Sequence, residues 1–312
     1  MKKVFIVFFG IILFVSMTAC KSKKHEIVFI TNEKIKTLGE YSLLDNIENN
    51  KELNFDFENV SVNNQEELLG YLRQFSNSKN KNSRTFVISE AFSNISNVTN
   101  EEFKDFNFIY LNKQDEGNFN INIDQRHISY LYGIISGLIT RENNVSVIYS
   151  QNLVDSSKNM LAFINGVKQV NLKAYDYLST MKNILDVSTV PAEEKQGTID
   201  NFIKNTKSDV IFYLDTINEN IANIFNQSTK VVFSLNEDKE NPYIKISYPY
   251  EKIIEDIIIN NNKNYFVNLI DDTINIDVTQ LPEEVQNVVN TMITNMKTNG
   301  IGFPNSFEEL KK

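Results

Sequence analysis

Ser129-Tyr130-Leu131-Tyr132-Gly133-Ile134-Ile135-Ser136-Gly137-Leu138-Ile139-Thr140, followed by Val145-Ser146-Val147-Ile148-Tyr149, is the stretch that decides the fold. From Ile128 to Ile139 the apolar residues recur with the helix period. The second part is a short, nearly continuous apolar run, the mark of a strand buried on both faces. Gly133 and Gly137 fall four apart on one helix face. A glycine inside a helix costs about 0.5–1 kcal/mol relative to Ala, so the pair predicts a helix that must lie close against the sheet.

The same unit repeats outward in both directions. Strand-like runs occupy Glu26–Ile30, Phe86–Ile88, Phe108–Leu111, Val210–Leu214 and Val231–Phe233. Helix-period stretches occupy Gln65–Phe75, Met160–Val170, Thr198–Ile203 and Ile217–Phe225. Strands alternating with helices predict parallel βαβ units in a doubly wound α/β fold. No fixed-period repeat or low-complexity linker marks a boundary, as expected of two lobes between which the chain crosses several times. Near the end, Leu281-Pro282-Glu283-Glu284 starts a helix with acids in its first turn, where they favour the dipole. Asn299-Gly300 stops that helix and Pro304 follows.

The N-terminus predicts where the protein resides. Lys2 and Lys3 precede an uncharged apolar run, Val4–Val15, which is shorter than the ~20 residues of a membrane-spanning helix. Small residues then lead to Cys20, the single cysteine of the chain. The pattern resembles the lipobox of bacterial lipoproteins, in which that cysteine is acylated, with Met17 standing where leucine is usual. The plainer reading is an ordinary secretory signal. Residues 1–19 are thus expected to be a lipoprotein signal peptide, and 20–25 an acylated tether. The expected location is the bacterial cell envelope, lipid-anchored and facing outside the cytoplasm.

Charge and composition exclude other classes. The chain carries 31 basic and 40 acidic residues, and loss of Lys2 and Lys3 deepens the imbalance, which argues against a nucleic-acid partner. One cysteine rules out an intramolecular disulfide. Neither a zinc-protease helix motif nor a glycine-rich phosphate loop occurs. His25 falls in the tether, and His127 precedes a helix, where capping or surface exposure is expected. Pairs such as Glu193-Glu194 read as solvated helix ends. No enzyme activity, cofactor or metal is implied.

Three collinear segments resemble the basic membrane protein family of solute-binding lipoproteins. They are Ser129–Thr140 with its following strand, Ala162–Asn171 with its Gly166-Val167-Lys168 core, and Leu281–Pro304; Ser208-Asp209-Val210-Ile211-Phe212 adds a fourth likeness. The resemblance implies a type I periplasmic-binding-protein fold: two doubly wound lobes joined by a multi-strand hinge. The first lobe is expected to hold residues 26–122 and about 247–262. The second is expected to hold 123–246 and about 263–312 with the C-terminal helix. It also implies capture of a small polar ligand, a nucleoside as in several members of that family, and delivery to an ABC permease.

Open α/β sheets bind ligands beyond the carboxyl ends of their strands, which nominates Asn32, Phe92, Tyr149, Asp215 and Asn236. Phe92 is placed to stack on a base or to fill the core beneath the next helix. Asp215 is placed to accept hydroxyl hydrogen bonds or to cap a helix at Thr216. The loops after several strands depart from the family pattern, notably Thr31–Lys36, Tyr149-Ser150-Gln151 and Ser234–Asp238. A second reading follows from them: a surface lipoprotein (adhesin, antigen or sensor) that keeps the fold without ligand uptake.

Overall fold

The computed structural model describes residues 25–33, 55–76, 84–111, 119–153, 155–215, 217–235, 243–247, 253, 264–269 and 274–311. Cys20 and Asn236 lie outside the described residues. In chain order come strands β1 (His25–Asn32) and β2 (Phe55–Val62), helix α1 (Gln65–Phe75), β3 (Arg84–Ile88), a 3-10 turn (Glu90–Ile95), α2 (Ser96–Glu102), β4 (Asn107–Leu111) and β5 (Phe119–Ile123). Next are α3 (Arg126–Ile139), β6 (Val145–Tyr149), α4 (Ser156–Val170), α5 (Leu172–Ser179), β7 (Ile184–Asp186), α6 (Ala192–Asn205), β8 (Val210–Leu214), α7 (Glu219–Gln227) and β9 (Val231–Ser234). The chain ends with β10 (Lys245–Ser247), β11 (Asn264–Val267), β12 (Asn275–Asp277), α8 (Glu283–Asn299) and α9 (Phe307–Lys311).

These strands form a parallel six-stranded sheet, β11-β5-β4-β3-β1-β2, and a parallel four-stranded sheet, β7-β6-β8-β9. β10 and β12 make an antiparallel ribbon. In the first sheet the chain turns to opposite sides of β1, and in the second to opposite sides of β6. Each sheet therefore has a topological switch point, between β1 and β3 and between β6 and β8.

Alternation along the strands divides the core. Val28, Ile30, Phe86, Ile88, Phe108 and Tyr110 fill one face of the first sheet. Ile27, Phe29, Val87, Ile109 and Leu111 point to the other face, in one continuous core with α3, α4 and the inner face of the second sheet. The outer face of that second sheet, Ile148, Ile211 and Tyr213, is closed by Ile199 and Ile203 of α6 and Ile221 of α7.

Four expectations are corrected. The glycines of α3 approach a helix rather than the sheet: a Cβ on Gly133 would lie 2.0 Å from the Phe163 carbonyl oxygen of α4. His25 opens β1 instead of ending a tether, and its Nε2 lies 2.8 Å from Thr85 Oγ1. His127 lies inside α3 and is buried, edge-on to Phe303. The segment expected to return to the second lobe from 263 onward first supplies β11, whose Val267 pairs with Ile123 in the six-stranded sheet. The backbone N–H of Asp124, the first residue after β5, donates to Val267 O at 2.9 Å. That bond ties together the two places where the chain leaves the first sheet.

Candidate ligand site

Among the described residues, Asn32, Tyr149 and Asp215 stand at the carboxyl ends of β1, β6 and β8, the strands beside the switch points. In the first sheet, Asn32 ends β1 and is 7% exposed, its Nδ2 donating to Asn63 O at 3.4 Å. Glu33 N donates to Val62 O, which carries the chain past β2. Beyond β2, Asn64 caps α1: its Oδ1 accepts from Glu67 N at 3.0 Å, and Glu67 in return accepts from Asn63 N at 2.9 Å. This reciprocal capping fixes the loop facing Asn32. Backbone and side-chain bonds from Asn63 and Asn64 hold the Glu67 carboxyl below its ordinary value.

Across the switch point, Ser89 N donates to Ile30 O at 3.0 Å, and Ser89 Oγ accepts from Ala91 N at 3.2 Å. The turn so formed sends Phe92 inward. Phe92 shares the hydrophobic cluster of Val28, Ile30 and Ile88 and is 7% exposed, so its ring fills the core.

In the second sheet, Ser150 N donates to Leu214 O at 3.2 Å and Val187 N to Tyr149 O at 2.9 Å, which knits the ends of β6, β7 and β8. Tyr149 is buried, but its hydroxyl accepts from Gln151 Nε2 at 3.1 Å. Asn152 Nδ2 donates to Ser188 O at 3.1 Å, tying the β6 loop to the β7 loop.

Asp215, directly after β8, is 2% exposed and forms an ion pair with Lys195 of α6. It does not cap the next helix; Asn218 does, accepting from Ile221 N at 3.0 Å. Burial, and then the charge of Asp215, push the neighbouring Tyr213 hydroxyl well up from its usual value. Lys195 is the site residue that sequence reasoning missed. A lysine in the first turn of a helix opposes the dipole, and that mismatch was the available sign of an acidic partner elsewhere.

The carboxyl ends thus present Asn32, Gln151 held by the Tyr149 hydroxyl, and a Lys195–Asp215 pair, while Phe92 and the ring of Tyr149 belong to the core. Among the described residues no group of three His, Cys, Asp or Glu is placed to hold a metal ion, and no helix is long and apolar enough to cross a membrane.

Residues 24–306 match the family model Bmp, described as ABC transporter substrate-binding protein PnrA-like. No curated protein matches the chain. Among solved structures, a solute-binding protein of an ABC transporter system from Conexibacter woesei DSM 14684 is similar with a TM-score of 0.64 and 13% identity, over 90% of this chain and 98% of that one. A solute-binding protein from Aeropyrum pernix K1 has a TM-score of 0.64 and 10% identity, over 91% and 97%. A transcriptional activator of the comK gene from Bacillus halodurans has a TM-score of 0.61 and 12% identity, over 90% and 100%. At these identities the likeness is one of fold.

Proposed function

Because the chain belongs to the Bmp family of PnrA-like ABC transporter substrate-binding proteins, we propose that it captures a nucleoside between its two lobes and presents it to an ABC permease. The observation that carries this reading is the pair of switch points, with polar groups at the carboxyl ends of both parallel sheets. Asn32, Gln151 and Lys195 supply donors for ribose hydroxyls and base carbonyls. Tyr149 acts through its hydroxyl, which holds the Gln151 amide, while its ring lies in the core. Asp215 acts through Lys195, holding its ammonium in place. Phe92 supports the wall from behind.

Closure follows from the crossings. Ligand binding draws the lobes together about the segments joined by the Asp124–Val267 bond, burying the solute and forming the surface that the permease reads. Acylation of Cys20 keeps the protein at the outer side of the membrane, since two or more acyl chains suffice for stable anchoring. Radiolabelled palmitate incorporated by the parent and absent from Cys20→Ser supports this anchor; equal labelling overturns it.

The deciding experiment is a thermal-shift panel of nucleosides, free bases, sugars and amino acids on the full chain in detergent. A ligand at a hundred times its Kd stabilises the fold by about 2.7 kcal/mol. A shift with nucleosides alone supports the receptor. A flat response from folded protein transfers the assignment to the second reading, a surface lipoprotein without uptake. One observation favours that second reading: the core position of Phe92 removes it from base stacking.

A further inference from the structure

At the opposite end of the four-stranded sheet from the candidate ligand site, a groove of about 620 Å³ opens between the carboxyl-terminal ends of α5 and α6. From it we infer a second small-molecule site, which takes a sugar phosphate. Its size falls within the range of small-ligand pockets.

The floor is a pair of buried asparagines just ahead of β6 and β7. Asn183 Nδ2 donates to Asn144 Oδ1 and to Val145 O, and Ser208 Oγ donates to the same Asn144 Oδ1 at 3.0 Å. These bonds hold both amides rigid. Among the hydrogen bonds of the described residues they leave Asn144 Nδ2 as a donor and Asn183 Oδ1 as an acceptor. A second amide pair comes from α6, where Asn201 and Asn205 are four apart on the helix face that lines the groove. Tyr177, 38% exposed, provides an aromatic wall for the apolar face of a sugar ring.

Charge selects the ligand. Lys182 and Lys207 line the groove and no carboxylate does, although acids outnumber bases 40 to 31 in the whole chain. Neither lysine has an ion pair among the described residues. Of the acids near them in sequence, Asp200 pairs with Lys204 at 2.6 Å, Asp209 holds the Thr140 hydroxyl and Arg141 N, Asp186 accepts from Ser188 N at 2.9 Å, and Asp176 is exposed outside the groove lining. The last turns of α5 and α6 bring roughly half a negative charge each, which two full ammonium charges exceed. Their end carbonyls also accept hydrogen bonds from sugar hydroxyls. An anion with hydroxyls satisfies both halves of the site, whereas a bare anion or a neutral sugar satisfies one.

The test is titration calorimetry on the full chain in detergent with ribose 5-phosphate, ribose and inorganic phosphate as probes. Ribose 5-phosphate is expected to bind at least about tenfold more tightly than either fragment. Binding is expected to weaken by about tenfold or more in Lys182→Met/Lys207→Met, and separately in Asn201→Leu, with melting temperatures held near the parent's. Absence of binding up to about 10 mM overturns the assignment, as does unchanged affinity in these variants. Loss of ribose 5-phosphate binding on Gln151→Leu, with the lysine variant unaffected, also overturns it by moving the probe to the other end of the sheet. None of these outcomes depends on whether a nucleoside binds between the lobes.

Discussion

Gly133 and Gly166 each stand against the backbone of the other's helix. A Cβ on Gly133 would lie 2.0 Å from Phe163 O, and one on Gly166 would lie 2.1 Å from Tyr130 O. Contacts that short do not exist, so either side chain must push α3 from α4. Around this point Phe163 stacks on Phe212 with centroids 4.3 Å apart, and Tyr132 leans on Phe233. Separation would therefore open the shared core. Gly133→Ala and Gly166→Ala are each expected to cost at least about 2 kcal/mol, beyond the ~1 kcal/mol that Ala returns as a better helix former. Gly70 of α1 and Gly197 of α6 have nothing within 4 Å of an added Cβ. Their Ala variants are expected to gain about 0.5–1 kcal/mol. Urea unfolding of the four variants checks the opposite signs.

The Lys195–Asp215 pair is expected to behave as a site feature rather than a stabiliser. Removing one partner leaves the other charge poorly paired near the second switch point, which typically costs about 3–5 kcal/mol for a buried pair. Lys195 is 28% exposed at its side chain, which puts the expectation at the low end. Asp215→Ala should therefore lower stability by about 3 kcal/mol, while Lys195→Met/Asp215→Leu should recover most of it. If the pair orients Lys195 for a solute, the double variant regains stability and not ligand binding. Denaturation and the thermal-shift panel, run on the same variants, separate the two effects.

The C-terminal end is clasped to the second sheet's helices. Leu310 is buried, and its carbonyl oxygen accepts from Lys168 Nζ at 2.7 Å and from Tyr175 Oη at 3.1 Å. A neutral hydrogen bond contributes about 1 kcal/mol and one to a charged group about 1.5–3 kcal/mol. Tyr175→Phe is expected to cost about 1 kcal/mol and Lys168→Met about 1.5 kcal/mol. Amide hydrogen exchange in α9 should accelerate in both variants before exchange in β6 or β8 does.

Central strands and amphipathic helices were legible because burial on two faces leaves no choice of residue. Val145–Tyr149 and Val210–Leu214 are strands over the residues their apolar runs predict, and both are wholly buried. Gln65–Phe75 is likewise a helix over its predicted span, and Gly300, at φ 68°, ends α8. The edge strand β2 is not a continuous apolar run: its alternation changes phase between Phe57 and Val60, and only Phe55 and Val62 along it are buried. β5 was hidden by Asn120, a fully buried polar residue inside Phe119–Ile123. The site was less legible than the fold. A strand's end can be read from its apolar run, but the inward turn of Phe92 depends on a serine hydrogen bond, and Lys195 reaches Asp215 from a different βα unit. Such pairings arise from chain topology and leave little trace in local pattern.

Acid should loosen the crossing between the sheets before it unfolds them. Burial raises the Asp124 carboxyl, but hydrogen bonds from the Arg126 side chain and backbone N–H, with the charges of Arg126 and His127, outweigh it and hold the group below its ordinary value. The contacts are at 2.9 and 2.7 Å from Arg126 Nε and Nη2, and 3.0 Å from its N–H. A carboxyl whose folded pKa is depressed binds protons more readily in the unfolded chain. Its contribution is therefore present above the unfolded value near 4 and lost as pH falls through the lower folded value. Stability from this group should stay level between pH 7 and about pH 5 and decline below about pH 4. Protonation also releases Arg126, which stacks over Phe303 at 5.2 Å, beside His127. Asp124→Asn should lower stability at pH 7 and show a shallower acid decline than the parent, so that the two curves converge near pH 2–3. Parallel curves down to that pH would assign the acid sensitivity to other carboxylates and leave the crossing without a role in it.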